Sequence, residues 1–179
     1  MNDPMRILKA DHRVVDALLS KLADTDEGAK RAQLLDEVVM KLTAHMDLEE
    51  SIVYPVVAEQ LGADDEEEAE IEHQLVRETI AKLQAMVDVP GFGAVVEMLR
   101  AGVKHHVQEE ESEILPELKE TLERADWVAM GDAIAETKQA TGMPIPAAVP
   151  RRSSKRASRA SSKRTAAPSK RATSSNRSK

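Results

Sequence analysis

Cysteine is absent from this chain. That removes disulfides, thiolate zinc sites and cysteine-ligated iron–sulfur clusters together. Aromatic residues are almost as scarce, with only Tyr54, Phe92 and Trp127, so a core has to be built from Leu, Val, Ile, Ala and Met. No apolar run of about eighteen residues occurs, so no membrane-spanning helix is expected. Met1-Asn2-Asp3-Pro4 lacks the basic and apolar regions of a secretory signal, and a cytoplasmic location is the expectation. Acid is absent from residues 151–179, which carry 11 Lys or Arg. The remaining 14 basic residues stand with all 32 acidic ones in the first 150, a balance of −18 hidden inside a net charge of −7. The 179 residues suffice for one core with a tail.

What is present is helical periodicity. Asp3-Pro4 reads as an N-cap followed by proline at the first helical position. Leu8, His12, Val15, Leu19 and Leu22 then recur at spacings of 3 and 4, predicting a first helix to about Ala23. Leu35, Val38, Leu42, His45, Glu49, Ile52 and Val56 form a second seam. Pro55 lies within it and should kink or end the helix. Gly62–Glu68 reads as an acidic link. His73, Val76, Ile80, Leu83 and Val87 mark a third helix, and Val96, Leu99, Val103, His106 and Glu110 a fourth, with Pro116 near its end. Asp126–Thr141 is a shorter amphipathic stretch that could pack Trp127, Met130 and Ile134 on the others. These patterns divide the chain into a domain over residues 1–143 and a tail over 144–179. The Lys, Arg, Ser, Ala and Thr composition from Arg151 onward offers nothing to offset the entropy of ordering, so a disordered tail is expected.

Six polar residues in the seams repeat at one offset. His12, His45 and Glu49 return as His73, His106 and Glu110, each 61 positions later. The flanks repeat too: His45-x-x-x-Glu49-Glu50-Ser51-x-x-x-Pro55 becomes His106-x-x-x-Glu110-Glu111-Ser112-x-x-x-Pro116. Residues i and i+4 share a helix face, so each His-x-x-x-Glu pair points one way. All six stand where the apolar stripe calls for Leu or Val. An unsatisfied polar group there costs about 1–3 kcal/mol, more if charged, and six would exceed a typical domain stability of roughly 5–15 kcal/mol. Mixed imidazole and carboxylate donors suit a first-row transition metal better than Ca²⁺ or Mg²⁺, and helical bundles hold iron or manganese pairs with such residues.

Carried by His12, His45-x-x-x-Glu49, His73 and His106-x-x-x-Glu110 in that order, the chain from about Met5 to Leu122 resembles the hemerythrin-like, or HHE cation-binding, family. The resemblance implies an all-α, up-down four-helix bundle around two iron ions, a non-haem diiron centre with an oxo or hydroxo bridge and bridging carboxylates. Oxygen-carrying members use five histidines and two carboxylates, whereas four and two match here. If both glutamates bridge, each six-coordinate iron keeps one open position. That favours reaction with peroxide, nitric oxide or oxygen over stoichiometric oxygen carriage, as does the association of bacterial members with redox sensing, peroxide breakdown, nitric oxide and iron handling. The expected function is therefore redox chemistry on small oxidants or nitrogen oxides, peroxidase- or catalase-like if it turns over. The alternative is a reversible oxygen, nitric oxide or iron/redox-sensing module.

Other residues carry more than one reading. Tyr54, opposite Leu115 in the repeat, is an additional iron ligand, a hydrogen-bonding partner of an iron-bound ligand, or a partly exposed tyrosine; on an ideal helix it lies about 180° from His45, but Pro55 disturbs that phase. His105 has no counterpart, since Ala44 stands in its place, and reads as a surface or supporting histidine. Glu50 and Glu111, one step from the ligand glutamates, read as solvated or interhelical. Residues 151–179 suit non-specific contact with nucleic acid phosphates, with an acidic protein surface including the chain's own body, or with an anionic membrane.

Overall fold

In the computed structural model, which describes residues 2–25 and 28–146, every regular element is helical. Helix α1 (Pro4–Ala23) is followed by α2 (Ala29–Leu48), which runs through a π-helical turn (Glu49–Val53) into α3 (Tyr54–Gln60). The second half repeats the plan: α4 (Ala63–Ala85), α5 (Phe92–Glu109), a π-helical turn (Glu110–Ile114) and α6 (Leu115–Thr121). Helix α7 (Arg124–Ala140) is the expected fifth helix, and it buries Trp127, Met130 and Ile134. The tail reading falls on residues 147–179, outside the described residues.

Short links between long amphipathic helices force neighbours to run antiparallel. Helices α1, α2, α4 and α5 pack in that cyclic order, giving the up-down bundle, and α7 lies along α1. The link into α4 is shorter than the sequence suggested. Helix begins at Ala63, because Asp64, Asp65 and Glu66 fall in its first turn, where carboxylates favour the positive end of the helix dipole. Gly62, at φ 135°, makes the turn that a side chain would strain. Nor does proline end the second and fourth helices. Pro55 and Pro116 each follow a π-helical turn. The wider turn accommodates a residue that lacks an N–H and whose ring crowds the carbonyl four residues back.

The interior is two apolar clusters with a polar layer between them. One contains Leu19, Leu22, Leu42, Val76, Leu83 and Leu99. The other contains Ile7, Leu8, Leu48, Tyr54, Leu115, Leu118 and Trp127. His12 stands between Leu8 of one and Val15 of the other; His45 between Leu48 and Leu42; His73 between Ala69 and Val76. No described helix is long and apolar enough to cross a membrane.

Candidate metal centre

All six register residues meet in that layer. His12, His45, His73 and His106 are 4, 4, 2 and 7 % exposed, and Glu49 and Glu110 are 0 %. Glu49 sends one oxygen to each histidine pair. Its Oε1 lies 2.9 Å from His45 Nε2 and 3.7 Å from His12 Nε2, and its Oε2 3.4 Å from His73 Nε2. Glu110 Oε2 lies 3.1 Å from His12 Nε2. Two compact groups result, His12–His45–Glu49 and Glu49–His73–His106, with Glu49 common to both.

A carboxylate stands behind three of the histidines. Nδ1–H of His12 donates to Glu111 at 2.8 Å, that of His73 to Glu50 at 2.8 Å and that of His106 to Glu72 at 2.9 Å. His45 Nδ1 faces Asp11 at 3.8 Å. A proton held on Nδ1 leaves Nε2 with its lone pair directed inward, the arrangement of a histidine ligand. Sequence reasoning passed over Asp11 and Glu72. Each precedes a candidate ligand histidine and they too are 61 positions apart, but as two different acids on a face that reads as solvated they did not stand out. Glu50 and Glu111 cross between helices to reach a histidine of the opposite half. Arg77 holds Glu50 at 2.8 Å, and Lys9 holds Glu111 at 3.1 Å. His105, 62 % exposed in its side chain, stays outside the layer near Glu72 and Glu109.

The donor set fits a cation. Nε2 of His73 and of His106 lie 3.3 Å apart, close enough to share one cation or one proton. No hydrogen bond reaches His12 Nε2, His45 Nε2 or either oxygen of Glu49 and Glu110. Without a metal, protons take the role. Burial pulls the His12 imidazolium down, but Glu110 and Glu49 outweigh it and push its pKa up to about 11. Burial of His45 is likewise overcome by Glu49 and Asp11, to about 9. Burial would raise Glu49, yet His45, His12 and His73 hold it well below the usual carboxylate range. Metal binding therefore has to displace protons.

The wider turn decides where Tyr54 goes. It is 1 % exposed, and its hydroxyl lies 3.1 Å from His73 Nε2 and 3.4 Å from His106 Nε2. Burial first, then the charges of Glu49 and Glu110, push the phenol far above its ordinary range. As a neutral phenol it is placed to donate its O–H toward these two nitrogens. Leu115 fills the corresponding place in the other half and is fully buried.

The model of the hemerythrin HHE cation binding domain matches residues 3–118. The chain belongs to this family. It is 28 % identical over 133 residues to an uncharacterized hemerythrin-like protein of Schizosaccharomyces pombe, covering 72 % of this chain and 66 % of that one. It is 26 % identical over 117 residues to a DNA nickase of Nostoc sp., covering 65 % of this chain and 33 % of the relative. The chain thus spans at most about two thirds of these curated relatives. Among solved structures, a hemerythrin HHE cation binding domain-containing protein from Mycobacterium kansasii superposes with a TM-score of 0.70 at 23 % identity, over 79 % of this chain and 89 % of that one. This likeness supports the bundle fold. The chain is a hemerythrin-like metal-binding domain whose His/Glu clusters fit a metal site.

Proposed function

We propose that this hemerythrin-like domain holds two iron ions and reacts with small oxidants or nitrogen oxides such as hydrogen peroxide, nitric oxide or oxygen. The observation that carries the reading is Glu49, fully buried with one oxygen before each histidine pair, as a bridging carboxylate has to be. His12 and His45 would hold one ion, His73 and His106 the other, with Glu49 and Glu110 between. An iron pair so held would supply redox equivalents and an open position for a small ligand. The space between the four histidines is small, while wider clefts of about 130 and 320 Å³ reach His106 and His12. Val15, Leu42, Met46, Val76, Val103 and Val107 close over the four histidines around a cavity of about 10 Å³, close to the minimum for one water.

Iron analysis combined with steady-state assays on peroxide and nitric oxide tests the reading. Two iron ions per chain with sustained turnover support it; zero or one in iron-replete protein ends it. Two ions with stoichiometric binding and no product favour the rival, a reversible binding or sensing module.

We extend the proposal to residues 151–179 as a non-specific nucleic acid contact, from their 11 basic residues and lack of acid. Truncation after Pro150 should leave the metal spectrum unchanged and abolish a DNA affinity whose log–log salt slope is about −0.9 per phosphate neutralised. Equal DNA binding by both forms would leave contact with acidic protein or an anionic membrane as the tail's role.

A further inference from the structure

The four histidines are not supported alike, and the exception traces to a residue outside the matched domain. His12, His73 and His106 each donate to a carboxylate at 2.8–2.9 Å. His45 Nδ1 lies 3.8 Å from Asp11 Oδ2, too far for a hydrogen bond, and is buried without one. Asp11 is engaged elsewhere. Lys138 of α7, 1 % exposed in its side chain, donates to Asp11 Oδ1 at 2.7 Å and Oδ2 at 2.5 Å. The counterpart of Asp11 is Glu72, which stays 2.9 Å from His106 and also faces the exposed His105, at 3.6 Å. Helix α7 has no counterpart in the repeat, so one buried ammonium breaks a symmetry that otherwise extends to the carboxylates behind the histidines.

We propose that Lys138 is a positioning residue that draws Asp11 away from His45 and makes the His12–His45 position the weaker and more exchangeable half of the metal centre. A carboxylate behind a ligand imidazole fixes its tautomer and orientation and raises its basicity, and losing one costs roughly 10–100-fold in metal affinity. His45 feels the charge of Asp11 at 3.8 Å but has no hydrogen bond on Nδ1 to fix its tautomer and orientation. The buried ammonium in turn needs Asp11, because an unpaired charge there is strongly unfavourable. Docking of α7 therefore sets where the Asp11 carboxylate sits relative to His45, whereas Glu50 stays on His73 although Arg77 also holds it. The inference rests on the two-metal reading and adds an order of loading to it.

The test is a stepwise titration of the metal-free full chain with Co²⁺ under anaerobic conditions, followed by visible absorption and calorimetry. Wild type should bind two ions in separate steps. Lys138→Met, similar in length but uncharged, releases Asp11 toward His45 and should tighten the weaker step about tenfold while leaving the stronger step unchanged. Lys138→Arg keeps the cation and should keep the split. Glu72→Gln weakens the stronger step by about tenfold, bringing the two together. Two steps of equal affinity in wild type overturn the proposal, as does Lys138→Met leaving the weaker step unchanged or loosening it. Should Lys138→Met fail to fold by circular dichroism, Glu72→Gln decides, and an unaltered stronger step overturns it. A wild-type chain that saturates with one Co²⁺ sinks the two-metal reading itself, whereas two ions with the wrong response to Lys138→Met sink only this inference.

Discussion

The half of the bundle ending at Gln60 and the half ending at Thr121 carry the same candidate ligands on the same elements. Each has a histidine on its first long helix, a His-x-x-x-Glu pair at the end of its second, a π-helical turn and a proline. The carboxylates behind His12 and His73 are exchanged between halves, Glu111 serving the first and Glu50 the second. The halves part company around this frame. Tyr54 reaches the His73–His106 pair, while Leu115 offers the other pair nothing polar. Asp11 is taken up by Lys138, while Glu72 remains on His106. What repeats is the set of candidate ligands; on the two-metal reading, what does not repeat would make the two positions react differently.

The largest break in this comparison comes from the glutamates. Glu49 lies within ion-pair distance of His45, His12 and His73, whereas Glu110 reaches His12. Glu49→Ala should therefore empty both positions and lower the melting temperature to that of the metal-free chain. Glu110→Ala should retain roughly half the metal and an intermediate melting temperature, because metal binding free energy adds to folding stability. Metal content by elemental analysis beside calorimetric melting separates the two. Equal losses would mean that the carboxylates share the work and that their unequal distances to the histidines are not functional.

A smaller, symmetric effect is expected one layer out. Glu50 and Glu111 each accept from a histidine at 2.8 Å and each is held from outside, by Arg77 or by Lys9. Glu50→Gln and Glu111→Gln should each weaken metal binding by about tenfold, read by competition with a chelator. If one substitution is silent, the exchanged carboxylates are not equivalent and the repeat stops at the ligands.

How much of this was legible in advance follows from what periodicity can report. His12, His45, Glu49, His73, His106 and Glu110 were readable because each interrupts an apolar seam at a helical spacing, and burial of such a group needs a reason. The same seams outlined the bundle and α7. Three features were not readable. The π-helical turns left no mark in the spacing, because a proline in a helix is consistent with a kink, an end or a wider turn. Asp11 and Glu72 precede ligand histidines, about 100° around the helix from them, where an acid reads as solvated. Lys138 lies far along the chain in α7, and no local pattern announces that a lysine will be buried on an aspartate of α1.

The smallest effect on metal content, and the sharpest on spectrum, is expected at Tyr54, where the halves differ most in chemistry. An ideal helix places it about 180° from His45, outside the site. The π-helical turn from Glu49 to Val53 changes that phase, and the hydroxyl arrives 3.1 Å from His73 Nε2. Burial and the nearby glutamates keep the phenol neutral in the absence of metal, so a phenolate would have to be drawn out by a cation, and a ferric ion is the harder acid. A phenolate there would occupy the open position of the His73–His106 side and leave the Leu115 side for an exogenous ligand. The expectation is a visible phenolate-to-iron charge-transfer band that vanishes in Tyr54→Phe. Iron content should be retained and stability should change by about 1 kcal/mol, the net value of one hydrogen bond. Leu115→Tyr is the reciprocal variant; if it folds despite an overpacking cost of about 1–3 kcal/mol, it should add a second band and slow the reaction with peroxide. A Tyr54→Phe protein with an unaltered spectrum and unaltered kinetics would reduce Tyr54 to a hydrogen-bond donor in the wall of the site, and the difference between the halves would then rest on Lys138 and Asp11.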